Sequence, residues 1–271
     1  MKPISRTDKI FSSPKFLRDS IAFSTILFII KDTNKYPEIK VFKENDDCIV
    51  IRSDDNHPII VWTSNDFSDY ENLYLFIKEE FGNAPNFSIT TKKSFYDYLN
   101  EKGRVTDKEN TLSLGCYECM KANDIKTIGY SDNIKQEEVS ELIVMLKNFE
   151  KDINLRNIHT CVHTNKEYEE KALMFLNDPV YRVWRDEKHK IVAFANCKLS
   201  EQNGKVSSVY TKPEARGRSY AKMLVAELTK EILKTKEKAI IYTNYNYPSS
   251  NRCYQAVGYQ LTNILYTYAI K

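Results

Sequence analysis

The chain has 271 residues, more than one typical domain holds, so two domains are expected. Hydrophobic residues make up 42% and charged residues 28%, the balance of a soluble globular chain, and a net charge of +3 without a dense basic run argues against a nucleic-acid partner. Six cysteines scattered at 48, 116, 119, 161, 197 and 253 form no secreted disulfide framework.

Ser13-Pro14 reads as a helix N-cap and first helical residue. The apolar run Ile21 to Ile30 is too short to span a bilayer, and Lys31-Asp32 follows it instead of a small-residue cleavage site. The stretch is therefore expected to be a buried helix of a cytoplasmic protein, with no membrane contact. β runs follow at Glu38 to Glu44, Cys48 to Ser53 and His57 to Thr63, then helical patterns at Tyr70 to Phe81 and Lys92 to Lys102, and a strand at Leu112 to Cys119. The 18 tyrosines and 13 phenylalanines fall at core-like spacings along these runs, so they read as core and strand residues. Cys116 and Cys119 read as two residues of a β segment, since no second pair stands at zinc-site spacing. His159 and His163 lie four apart with no third ligand nearby, so no metal is expected.

A polar break at Ala122 to Asp124 sets the expected domains at 1–121 and 122–271. In the second, Ile125 to Tyr130 reads as a strand and Gln136 to Phe149 as a one-faced helix. Asn165 caps a further expected helix reaching Leu176. Val180 to Arg185 and Lys190 to Leu199 are expected strands, and Asn203-Gly204 is a hairpin signal leading into a third, Val206 to Thr211. Pro213 and a basic loop come next, then a helix with Met223, Leu224, Leu228 and Ile232 at helical spacing. The first amides of such a helix lack intrahelical partners and carry the positive end of the dipole, so the amides of Gly217 to Ala221, with Arg216 and Arg218 beside them, would face an anion.

The loop Arg216-Gly217-Arg218-Ser219-Tyr220-Ala221 resembles the acyl-CoA pyrophosphate loop of the GNAT N-acetyltransferase superfamily: Gln or Arg, two residues, Gly, one residue, Gly or Ala. Arg216 and Ala221 match, and Ser219 stands where the family usually has glycine. Serine serves there if residue 219 has helical dihedrals, because only a positive φ demands glycine. About thirty residues on, after the strand pattern Ala239 to Thr243, Asn251, Tyr254, Gly258 and Tyr259 are similar to the second signature of the same family, Asn-x-x-Tyr on a short helix followed by Gly-Tyr.

The resemblance covers residues 123 to 271 and implies an α/β fold with a GNAT-like mixed central sheet flanked by helices. It also makes the N-terminal α/β half reminiscent of a degenerate, non-catalytic GNAT-like half, an unrelated α/β domain being the alternative. It implies acetyl-CoA as acyl donor and a primary amine of a small or amino-acid-like molecule as acceptor. Backbone around Val209, Tyr210 and Thr211 would pair with pantetheine, and Arg216, Gly217, Arg218, Ser219, Tyr220 and Ala221 would hold phosphate. Asn251 would bond the cofactor arm, and Tyr254 would give a proton to the leaving thiolate. Glu150 and Glu214 are candidate general bases, with a water chain as their equal. The competing function is a CoA-binding or regulatory module that retains the fold without catalysis. The N-terminal half either walls the acceptor pocket or makes a homodimer contact.

Overall fold

A computed structural model describes the chain except for residues 56, 85–86, 107, 109–110, 156–161 and 201–202. It divides into two compact units, Met1–Cys116 together with Thr262–Lys271, and Tyr117–Leu261. A cut at 121/122 would leave the last ten residues with the second unit. They belong to the first because the final strand pairs there.

In the first unit the chain runs through β1 (Lys2–Pro3), α1 (Pro14–Leu17), α2 (Ser24–Lys31), β2 (Lys40–Glu44), β3 (Cys48–Arg52) and β4 (Ile59–Thr63). It continues through α3 (Tyr70–Phe81), β5 (Ser88–Lys92), α4 (Lys93–Glu101) and into β6 (Leu112–Cys119). Ser13 caps α1, its hydroxyl accepting from the Phe16 N–H at 3.2 Å. The single helix expected from Pro14 is broken in two between Leu17 and Ser24. Asp19, in the break, is drawn inward by the Trp62 indole N–H (2.8 Å) and the Lys92 ammonium. β2, β3 and β4 form an antiparallel meander, and β4 pairs with β5 in parallel from Ile59↔Ile89 to Val61↔Thr91. The terminal strand, β12 (Gln260–Ala269), pairs antiparallel with β5 from Leu265↔Lys92 to Ala269↔Ser88. Tyr268 and Ile270 thereby join the core of Val61, Leu73, Ile77, Phe95 and Leu99.

In the second unit come β7 (Tyr130–Asp132), α5 (Val139–Asn154), α6 (Asn165–Asn177), β8 (Tyr181–Arg185), β9 (Ile191–Leu199) and β10 (Asn203–Thr211). α7 (Tyr220–Leu233), β11 (Lys238–Asn244) and α8 (Pro248–Val257) complete it. Residues 125 to 129 do not pair as the expected strand; the Ile128 carbonyl is taken by the Trp184 indole N–H at 3.0 Å, and the strand there is Tyr130–Asp132. Thr164, one residue earlier than expected, caps α6 in a reciprocal pair with Glu167. Asn203 and Gly204 lie in β10 itself instead of forming its turn, and a Cβ at Gly204 would stand 2.4 Å from the Ile232 side chain.

Strand order is β11-β10-β9-β8-β7, with β10–β11 parallel and the others antiparallel. Alternation along β9 sends Ala193, Ala195 and Cys197 to one face against Leu224, Leu228 and Ile232 of α7. It sends Phe194 to the other face, against Leu142 and Met145 of α5 and Phe175 of α6. The sheet is thus a mixed one covered by helices on both faces.

Candidate active site

The site begins where β10 and β11 part. Their parallel pairing runs from Asn203↔Lys238 to Val206↔Ile241 and stops. On its other edge β10 stays paired with β9, but the register shifts between Ser207↔Asn196 and Tyr210↔Phe194. Ser208 and Val209 thus face the single residue Ala195, a bulge, and Ser208 takes φ 52° to make it. Bulges bend and twist the strand that carries them, and this one turns the end of β10 away from β11.

Beyond the bulge the backbone directions follow from the ladder. Lys212 N–H donates to the Val192 carbonyl on the β9 side at 2.9 Å. Alternate residues of an antiparallel pair turn their polar groups to opposite edges, so Thr211 turns its N–H and C=O to the edge β11 has left. The Thr211 hydroxyl is buried as well and has no hydrogen-bond partner among the described residues. The carbonyl is taken by Arg216, and the N–H left at that edge suits an extended partner.

The other end of the cleft is the start of α7. Pro213–Ala215 makes one tight turn, then Gly217 adopts φ 79° with open space where a Cβ would stand. Ser219 has φ 66° and ψ 12°, the left-handed conformation, not the helical dihedrals that would suit serine. That conformation costs a residue with a Cβ about 1–2 kcal/mol relative to glycine. Ser219 also makes no capping bond, and the Met223 N–H is the first to reach back to its carbonyl, at 3.0 Å. The amides of Tyr220, Ala221 and Lys222 therefore keep the unpaired N–H groups of a helix start.

β10, this loop and α8 enclose a cleft of about 470 Å³, also walled by Phe149, Asp152 and Ile153 of α5. Val209, Tyr210, Thr211, Arg216, Gly217, Ser219, Tyr220, Ala221 and Tyr254 all line it. Arg218 is exposed and is not among the lining residues.

Arg216 lines the cleft but spends its side chain on the protein. Its Nε donates to the Thr211 carbonyl at 3.1 Å and its Nη2 to Asp152 Oδ2 at 2.5 Å, with the guanidinium 5.7 Å from the Tyr210 ring centre. Asn251 stands apart too. It is 8% exposed and lies outside the lining; Oδ1 accepts from the Tyr117 hydroxyl at 3.0 Å and Nδ2 donates to the Tyr245 carbonyl at 2.7 Å. The cofactor contact expected of Asn251 falls on an amide that is already committed inside the unit.

Tyr254 is 6% exposed yet lines the cleft, nearly two turns after Pro248 starts α8. Burial, with the adjacent Cys253 thiol adding to it, pushes its hydroxyl well above the usual tyrosine range despite a hydrogen bond with Ser250. The group stays protonated. Gly258 ends α8, its N–H on the Gln255 carbonyl, and the following Tyr259 ring packs edge-on to Tyr254 at 6.3 Å while its hydroxyl meets Thr229 at 2.8 Å.

Lys222 and Arg252 also line the cleft and were not picked out in the sequence. Lys222 sits in the first turn of α7, a placement that marks it as an anion partner once the helix start is known.

Residues 185–268 match the FR47-like protein family. The fold is similar to an acetyltransferase of the GNAT family from Colwellia psychrerythraea (12% identity, 100% of this chain and 99% of that one covered, TM-score 0.61). It is also similar to a GCN5-related N-acetyltransferase from Sphaerobacter thermophilus (9% identity, 98% and 94% covered, TM-score 0.61). No curated protein sequence matches the chain. The chain has the fold of the GNAT superfamily. A tandem GNAT protein from the clavulanic acid biosynthesis pathway aligns over 99% of this chain and 97% of its own, at 8% identity and TM-score 0.50, and fits the two-unit layout.

The first unit has a strand–helix junction of its own between β4 and α3. α3 is capped by Asp69 and carries Glu71 in its first turn, charges that repel an anion where α7 offers bare amides. Trp62 of β4 is fully buried beside the Lys92–Asp19 pair.

Neither Glu150 nor Glu214 lines the cleft. Burial works to raise the Glu150 carboxyl, but hydrogen bonds from His163 and Tyr168 outweigh it and hold the group below its ordinary value. Such a carboxylate is a weak base. Glu214 is exposed in the turn before the loop. Cys116 and Cys119 are buried residues of β6, and His159 lies outside the described residues. No helix among the described residues is long and apolar enough to cross a membrane.

Proposed function

We propose that the second unit is an acetyl-CoA-dependent N-acetyltransferase that acylates a primary amine of a small or amino-acid-like acceptor by direct attack. One observation carries the reading: an unpaired strand edge, an uncapped helix start and a buried, protonated tyrosine line a single cleft. The residues fit the donor. The open edge of β10 and the orphaned Thr211 hydroxyl suit the amides of an extended pantetheine arm, and the α7 amides with Lys222 and Arg252 suit its phosphates.

When bound, acetyl-CoA supplies a thioester carbonyl as the electrophile. The protein supplies the rest. The Thr211 N–H at the open edge would donate to a carbonyl held there, an oxyanion-hole role. The Tyr254 hydroxyl holds a proton for the departing thiolate. Among the described lining residues Asp152 is the only carboxylate, and it is engaged with Arg216, so the proton of the attacking amine goes to water.

Amine-dependent release of free thiol from acetyl-CoA, measured over a panel of small amines and amino acids, tests the reading. Thiol release with at least one amine supports it. Tight acetyl-CoA binding with no release across the panel would favour a CoA-binding module without catalysis.

A further inference from the structure

Asp152 lies on the last turns of α5, 64 residues before its partner in the chain, and no local pattern marks it. Its surroundings do. Phe149 and Ile153, on the same helix face, also line the cleft, and its carboxylate meets the Arg216 guanidinium at 2.5 Å. Arg216 uses two donors of its planar fork: Nε goes to the Thr211 carbonyl and Nη2 to Asp152. The fork is rigid, so the position of Asp152 sets where Nε points.

The consequence falls on the edge of β10 that faces the cleft. Thr211 presents both a donor and an acceptor there. Its carbonyl oxygen is a fixed negative dipole end beside its own N–H, and if that N–H receives a thioester oxygen as proposed above, a bare acceptor next to it would oppose the charge gained there. With Nε seated on it, that oxygen is satisfied and partly neutralised, and the open edge offers its N–H.

We propose that Asp152 is a positioning residue for acyl transfer: it holds Arg216 on the Thr211 carbonyl so that the open strand edge acts as a donor only. The proposal rests on the acetyltransferase reading above. It also assigns Arg216 to bracing the strand, with phosphate left to the α7 amides, Lys222 and Arg252.

The test is Asp152→Asn, with Asp152→Glu as the conservative variant. Wild-type and variant protein are labelled with ¹⁵N-arginine, and the Arg216 Nε–H signal is assigned by its loss in Arg216→Lys. In the wild type this proton exchanges with solvent at least about tenfold more slowly than exposed arginine Nε–H groups, because it is hydrogen-bonded. In Asp152→Asn the protection is lost and kcat for thiol release falls about tenfold, as small misplacements in a reacting site do. The Kd for acetyl-CoA, measured by calorimetry, changes less than about twofold, and Asp152→Glu recovers part of kcat. Tighter acetyl-CoA binding by Asp152→Asn would overturn the proposal, since Arg216 would then be a phosphate ligand restrained by Asp152. Unchanged exchange and unchanged kcat would overturn it equally. A wild type that binds acetyl-CoA but transfers nothing to any amine defeats the acetyltransferase reading instead, while the exchange measurement still decides the brace.

Discussion

Tyr254→Phe lowers turnover by about a hundredfold or more while leaving the Kd for acetyl-CoA nearly unchanged. General acid groups contribute about 10²–10⁴-fold, and a hundredfold loss corresponds to about 2.7 kcal/mol of transition-state stabilisation. Phenylalanine preserves the ring that packs edge-on to Tyr259 and fills the same volume at the edge of the α7–α8 core. Only the hydroxyl is removed, together with its hydrogen bond to Ser250. Because burial holds the hydroxyl above its usual range, wild-type activity shows no loss from Tyr254 titration up to about pH 10, the ordinary tyrosine value. Thiol-release kinetics beside calorimetric binding give both quantities. A variant with wild-type kcat would remove Tyr254 from the chemistry.

Asn251→Ala costs the fold about 1–3 kcal/mol, read by urea denaturation, because a buried group loses its partner. The Tyr117 hydroxyl, on a fully buried ring, loses its acceptor, and the Tyr245 carbonyl loses its donor. Burial keeps the Tyr117 hydroxyl protonated, so it cannot relieve the loss by ionising. Asn251 thus ties the end of β6 and the β11–α8 connection to the helix that carries Tyr254. A residue that bound the cofactor arm directly would behave otherwise, weakening acetyl-CoA binding with stability intact. Retained stability with a large rise in Kd would return Asn251 to the binding site.

Much of the second unit was legible because its signals are local. The apolar spacing of Leu224, Leu228 and Ile232 marks α7, the loop before it marks an anion site, and the Asn251-to-Tyr259 frame marks α8 and its end. What escaped depended on distant contacts or on a single dihedral. Serine at 219 gives no sign that it takes φ 66°, since the same residue suits a helical start. Arg216 reads as a phosphate ligand until Asp152 is brought to it from α5. The first helix breaks because Asp19 finds Trp62 and Lys92, far along the chain. β12 follows directly on α8 in sequence yet pairs with β5, a choice of partner that no periodicity encodes.

The central claim is that the cleft of the second unit binds acetyl-CoA, and the melting temperature with and without it is the most direct measurement. At about 100 times its Kd a ligand stabilises the native state by about 2.7 kcal/mol, which shows as a rise of several degrees. The account predicts that rise with acetyl-CoA. An unchanged melting temperature at millimolar acetyl-CoA would contradict it, and the acetyltransferase reading would fall with the site.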